Sequence, residues 1–147
     1  GWGFSRKDVE LLLNCGINAI DVAGAGGTSW SQVEMYRTED EEQRELTSEF
    51  TGWGISTVNA IHNVTMLKYD FPIISSGGLK TGMDMVKSIA LGASLCGYAG
   101  LFLKAATESP EAVVKIIDRL EKVLRIAMFS TGCENIDALK QLELIEA

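Results

Sequence analysis

The chain has 147 residues, 46% hydrophobic and 22% charged, so it carries enough apolar material for a packed core and is not a disordered tail. Thirteen Lys and Arg against 20 Asp and Glu leave a net charge of −7, which argues against nucleic acid or an anionic membrane as the main partner. A complete (β/α)8 barrel typically needs ~250 residues, more than this chain supplies. Cys15, Cys96 and Cys133 stand at no metal-like spacing and read as buried free thiols in a reducing compartment. No apolar run reaches the length of a membrane span, and the opening residues from Gly1 carry neither an initiator Met nor signal-peptide anatomy.

In chain order, Ser5 predicts the cap of a helix with Val9, Leu12 and Leu13 inward, ended by Gly16. Residues 19–23 read as a short buried strand that runs into Gly24-Ala25-Gly26-Gly27-Thr28-Ser29-Trp30. Residues 31–51 are acidic and polar, and read as a solvated loop or exposed helical turn; their length also suits a mobile lid. A helix is predicted over about 55–67 with Val58, Ile61 and Val64 inward, then a strand over 71–75. That strand ends in Ser76-Gly77-Gly78-Leu79-Lys80-Thr81-Gly82, where Thr81 caps a helix burying Met85, Val86, Ile89 and Ala90 as far as Gly92. Residues 94–100 read as a third strand with a glycine exit, followed by a short apolar helix at about 101–106. Ser109-Pro110-Glu111 starts a long helix to about Phe129, closed by Gly132, and Asn135 caps a last helix through Leu142.

Strand, glycine loop and helix in repetition predict a parallel sheet with right-handed crossovers. The strands are short and apolar throughout, as expected when both faces are covered. Ligands of such folds bind at the C-terminal ends of strands, where glycines let backbone N–H groups approach a phosphate. Ser76-Gly77-Gly78-Leu79-Lys80-Thr81-Gly82 suits this best, with Lys80 as a cation, and Gly97-Tyr98-Ala99-Gly100 opens onto a short extra helix beside it. The alternative for each loop is a tight turn that needs positive φ. The Gly24 loop lacks the complete dinucleotide fingerprint. His62, the only histidine, reads as a surface or packing residue, and no cluster suggests a metal. Asp21 is either a carboxylate bonded to backbone or one facing a ligand, and Trp30 and Trp53 either belong to the core or close over a ligand. No side chain stands out as acid, base or nucleophile, so the chemistry falls to a cofactor or to groups outside the chain.

The segment Ile20-Asp21-Val22-Ala23-Gly24-Ala25-Gly26-Gly27-Thr28-Ser29-Trp30, the Ser76 to Gly82 loop and Ala127-Met128-Phe129-Ser130-Thr131-Gly132 together resemble the type 2 isopentenyl-diphosphate isomerases. The resemblance implies an α/β fold, the C-terminal half of a TIM (β/α)8 barrel, with 1–147 forming one partial-barrel domain of three to four β/α units. It implies interconversion of isopentenyl and dimethylallyl diphosphate with reduced FMN, NADPH as reductant and Mg2+, in isoprenoid biosynthesis and in the cytoplasm. Thr28 would contact the flavin, and Gly77, Gly78, Leu79 and Lys80 would hold the FMN phosphate together with Ala99 and Gly100. Ser5 and Arg6 would fall near the substrate-side loop after the fifth strand. No catalytic or metal-binding side chain is implied here, because the reduced flavin carries the acid–base step. The fifth-strand lysine and the magnesium ligands belong to the first half of the barrel, which makes that half an expected partner alongside further copies of the chain. Lys80 stands where arginine is more usual, which keeps the charge and loses the fork. Two alternatives remain. One is a flavin oxidoreductase, for which His62 and Cys96 are poorly placed; the other is a non-catalytic phosphate-binding half-barrel that self-associates through open sheet edges.

Overall fold

The computed structural model describes residues 2–145; Gly1, where the sequence opens, and residues 146–147 lie outside the described residues. Strands β1 (Ile20–Asp21), β2 (Ile73–Ser75) and β3 (Leu95–Cys96) form a parallel sheet in the order β1-β2-β3. Ile20 pairs with Ile73 and Asp21 with Ile74, while Ile74 and Ser75 pair with Leu95 and Cys96 on the other side. The helices are α1 (Arg6–Asn14), α2 (Trp30–Arg37), α3 (Glu41–Ser48), α4 (Thr57–Thr65), α5 (Gly82–Ala90), α6 (Gly100–Glu108), α7 (Pro110–Thr131) and α8 (Ile136–Lys140). None is long and apolar enough to cross a membrane.

Side-chain oxygens set where most helices begin. Ser5 and Asp8 form a reciprocal capping box on α1, as Thr81 and Asp84 do on α5. Ser109 caps α7 ahead of Pro110 at its first position, and the αL residue Gly132 ends it. Burial then holds the pieces together. Val9, Ile20, Val22, Ala60, Ile61, Val64 and Ile73 make one core between the sheet, α1 and α4. Val86, Ile89 and Leu139 make a second, against Leu124 and Met128 of α7. Between β2 and α5, the hydroxyl of the buried Ser75 donates to the buried Ser88 hydroxyl at 2.9 Å, so neither polar group is left unpaired.

Several expectations need correction. Of the two readings of residues 31–51, the loop is wrong and the exposed helical one falls short: they fold largely into α2 and α3, which pack on each other and bury none of their side chains. Caps at Ser29 and Asp40 start these helices, without any apolar stripe. Val58 points outward and is 56% exposed, because α4 presents Ala60, Ile61 and Val64 to the core. Val58 lies about 120° around the helix from Val64. Cys15 is exposed, since it forms the C-cap of α1 rather than part of its buried face, and Cys96 and Cys133 are only half-buried. Trp30 and Trp53 are both exposed, so neither packs into the core. The strands are two or three residues long, shorter than their apolar runs, and α6 extends to Glu108.

Candidate functional site

The exits of the three strands meet at one end of the sheet. Gly24 N–H donates to the Ser76 carbonyl at 2.9 Å and Gly97 N–H to the Ser75 carbonyl at 2.8 Å, so the strand exits stay in register beyond the ladder. The Asp21 carboxylate accepts from Ala23 N–H at 3.0 Å and from the Ser76 hydroxyl. It is therefore a structural carboxylate that ties the first exit to the second. Ala23 takes a φ of +40°, a sparsely populated conformation for alanine, directly before the glycine loop.

The two glycine loops interlock. Gly77 and Gly78 have φ of +101° and +87°. A Cβ on Gly77 would overlap the backbone of Gly24, and one on Gly78 the backbone of Gly26. Glycine is thus required twice over, by conformation and by close backbone approach. Behind the loop, the Thr57 hydroxyl donates to the Gly77 carbonyl at 2.5 Å, with the Ser76 carbonyl at 3.3 Å.

A cavity of about 730 Å³ opens in front of these loops. Thr28, Gly77, Gly78, Leu79, Lys80, Ala99 and Gly100 all line it, so the structure brings together every residue singled out from the sequence for cofactor contact. Gly26, Gly27, Ser76, Gly97, Tyr98 and Leu101 complete the wall. Ser76, Gly97 and Tyr98 belong to the two exits read from the sequence as phosphate loops, though not among the individual contacts, and Gly26, Gly27 and Leu101 stand within or beside the glycine motifs. Ser5 and Arg6 do not line the cavity; the Ser5 hydroxyl is engaged by Asp8 at 2.6 Å. The Ala127 to Gly132 motif lies at the end of α7, where Ala127 and Met128 pack on the second core.

Two helices begin at this cavity. At α5, the Asp84 carboxylate accepts the N–H groups of Lys80 at 2.9 Å and Thr81 at 2.8 Å. Partial burial pulls the Asp84 carboxyl upward, but the bonds from Lys80 and Thr81 outweigh it and hold the carboxyl below its ordinary 3.8. The Lys80 amide is therefore taken up within the chain, and what Lys80 brings to the wall is its side chain. At α6, Ala99 occupies the N-cap position and has no side chain able to cap. Seven of the eight helices among the described residues have a side-chain cap, and α6 is the exception. Among the described residues, the N–H groups of Gly77, Gly78, Leu79, Ala99 and Gly100 donate to no protein oxygen. Leu79 is buried, which anchors its amide at the wall. Open amides, a helix N-terminus and one lysine make an anion cradle, and the fit of an FMN phosphate to it follows from these unmatched donors.

The titratable groups nearby are poorly suited to acid–base or nucleophilic work. The Tyr98 hydroxyl donates to the Thr81 carbonyl at 2.8 Å, and burial, reinforced by Cys96 and Asp84, pushes the phenol up to about 12. Burial likewise raises the Cys96 thiol to about 11, with Ser88 pulling the other way, so it stays protonated at neutral pH. His62 is exposed on α4 and lies outside the cavity wall. Among the described residues, no three His, Cys, Asp or Glu side chains converge as metal ligands.

The chain matches the family described as FMN-dependent dehydrogenase over residues 4–146. It is 48% identical over 145 residues to an isopentenyl-diphosphate delta-isomerase of Methanococcus maripaludis, covering 99% of this chain and 41% of that protein. The corresponding proteins of Methanocaldococcus jannaschii and Rickettsia rickettsii are 45% and 42% identical, covering 99% and 98% of this chain and 40% and 42% of theirs. The chain thus spans about two fifths of the length of the curated relatives it matches. Among solved structures, a putative lactate oxidase of Pediococcus acidilactici superposes with a TM-score of 0.73 at 19% identity, covering 95% of this chain and 33% of that one. A GMP reductase of Trypanosoma brucei does so with a TM-score of 0.68 at 20% identity, covering 93% and 30%. These two likenesses establish the fold, parallel strands alternating with helices as in part of a TIM barrel. By the family match over nearly its whole length, the chain belongs to the FMN-dependent dehydrogenase family, and it is a homologue of the isopentenyl-diphosphate delta-isomerases.

Proposed function

We propose that this chain supplies the FMN-phosphate end of an isopentenyl-diphosphate delta-isomerase, which interconverts isopentenyl and dimethylallyl diphosphate with reduced FMN. The observation that carries this is the uncapped N-terminus of α6, open to the same cavity as the unmatched amides of Gly77, Gly78 and Leu79. The identity of 42–48% to isomerases, against 19–20% to an oxidase and a reductase, favours isomerisation over flavin-dependent oxidation.

In this reading the amides of Gly77, Gly78, Leu79, Ala99 and Gly100 bind the phosphate and Lys80 adds a positive charge. Thr28, on the same cavity wall, would offer its hydroxyl to the flavin. Tyr98 braces the wall through Thr81 and keeps its proton. The bound flavin, when reduced, supplies the proton donor and acceptor for the allylic shift, a task for which the chain offers no side chain. NADPH as reductant, Mg2+ on the diphosphate, association with the first half of a barrel or with further copies, and a cytoplasmic setting belong to the same proposal.

The test is direct. The protein combined with the first half of such a barrel, loaded with FMN and reduced with dithionite, should convert isopentenyl diphosphate to dimethylallyl diphosphate, and with oxidised FMN it should not. FMN binding by the combined halves without any conversion would contradict the isomerase reading. Stoichiometric reduction of the flavin by a 2-hydroxy acid would support the oxidoreductase in its place.

A further inference from the structure

We infer that Thr57 is a positioning residue for the phosphate cradle: through the Gly77 carbonyl it orients the peptide plane that aims the Gly78 N–H into the cavity. This rests on the proposal that the cavity takes the FMN phosphate. No peptide bond in the described chain is cis, so the carbonyl and N–H of each unit point in opposite directions. The Gly77 carbonyl points at the Thr57 hydroxyl, 2.5 Å away. The Gly78 N–H of the same unit therefore points away from Thr57.

Two cavities border the loop. A small one of about 220 Å³, between α4 and α5, is lined by Thr57 together with Gly77 and Gly78. The large one is lined by the same two glycines but not by Thr57. Thr57, which holds the carbonyl, lines only the small cavity, and the Gly78 N–H on the far side of the same peptide unit donates to no protein oxygen among the described residues. Positive-φ glycines have several backbone orientations within easy reach, so the loop does not fix this plane unaided. Thr57 is well held for the task. It is the first residue of α4, which buries Ala60, Ile61 and Val64, and the loop at Gly24 crosses it so closely that a Cβ there would overlap it. The residue lies outside every glycine motif, so nothing local in the sequence marks it.

The experiment compares FMN with riboflavin, which lacks the phosphate, by flavin-fluorescence titration of the full chain and of Thr57→Val and Thr57→Ser. Removing one oriented hydrogen bond is expected to weaken FMN binding by about tenfold in Thr57→Val. Riboflavin binding should stay unchanged, and Thr57→Ser, which keeps the hydroxyl, should restore the preference for FMN. An unchanged FMN-to-riboflavin ratio in Thr57→Val would overturn the inference while leaving the cavity assignment intact. Equal binding of the two flavins by the unsubstituted protein would overturn the cavity assignment itself, and this inference with it. Should Thr57→Val fail to fold, amide NMR of the unsubstituted protein decides. The Gly78 N–H resonance must shift on FMN addition, and a shift at Leu79 with none at Gly78 would refute the role of Thr57.

Discussion

Helices α5 and α6 begin at neighbouring strand exits and reach the same cavity, yet their N-termini are finished in opposite ways. Thr81 and Asp84 close α5 from within the chain and take up the amides of Lys80 and Thr81. Ala99 leaves α6 open. A closed end contributes to folding whether or not a ligand is present; an open one leaves donors whose partner must come from elsewhere. The contrast separates residues that build the cradle from residues that serve a ligand, and each part can be broken separately.

The largest effect is expected in the loop that feeds α5. Gly78→Ala forces a Cβ into the Gly26 backbone at a φ of +87° and should destabilise the fold by about 3 kcal/mol, measured by urea unfolding. Gly100→Ala at the start of α6 meets nothing within 4 Å and should leave the fold intact, with up to about 0.5 kcal/mol gained. Next in size is Ala99→Asp, which sets a carboxylate at the open end of α6. FMN binding should weaken about thirtyfold by flavin titration, with no loss of thermal stability.

Asp84→Asn acts on the closed end and should cost about 1 kcal/mol at neutral pH. The Asp84 carboxyl is held below 3.8 in the folded chain. Its contribution is therefore present above the ordinary carboxylate value and is lost as pH falls through the lowered one. The gap in Tm between the unsubstituted protein and Asp84→Asn should accordingly close in strong acid. Smallest of all is Tyr36→Ser on α2, where the ring is 80% exposed; a change under about 0.5 kcal/mol is expected in thermal melts.

How far the sequence foretold this arrangement differs from element to element. Caps are local chemistry, so Ser5, Thr81, Ser109 and Asn135 marked their helices, and Gly132 the end of α7. The strand exits were legible for the same reason: glycines at the end of an apolar run mark a close turn out of the sheet, whatever that turn then binds. The extent of α2 and α3, beyond the exposed helical turn that was one reading of this stretch, escaped notice because exposed helices carry no apolar period, and only the caps at Ser29 and Asp40 announce them. Val58 was misplaced because an apolar residue beside a buried face resembles one on it. The interlock of Gly24 with Gly77 and of Gly26 with Gly78, and the bond from Thr57, join residues distant in the chain, and no local pattern encodes such pairs.

The central claim is that the open amides of the second and third strand exits bind one phosphate. A crystal structure of the protein with FMN tests it most directly. The account predicts phosphate oxygens at about 3 Å from the amide nitrogens of Gly78 and Leu79 and from those at the start of α6. An FMN molecule whose phosphate lies in bulk solvent, with those amides facing water, would contradict it.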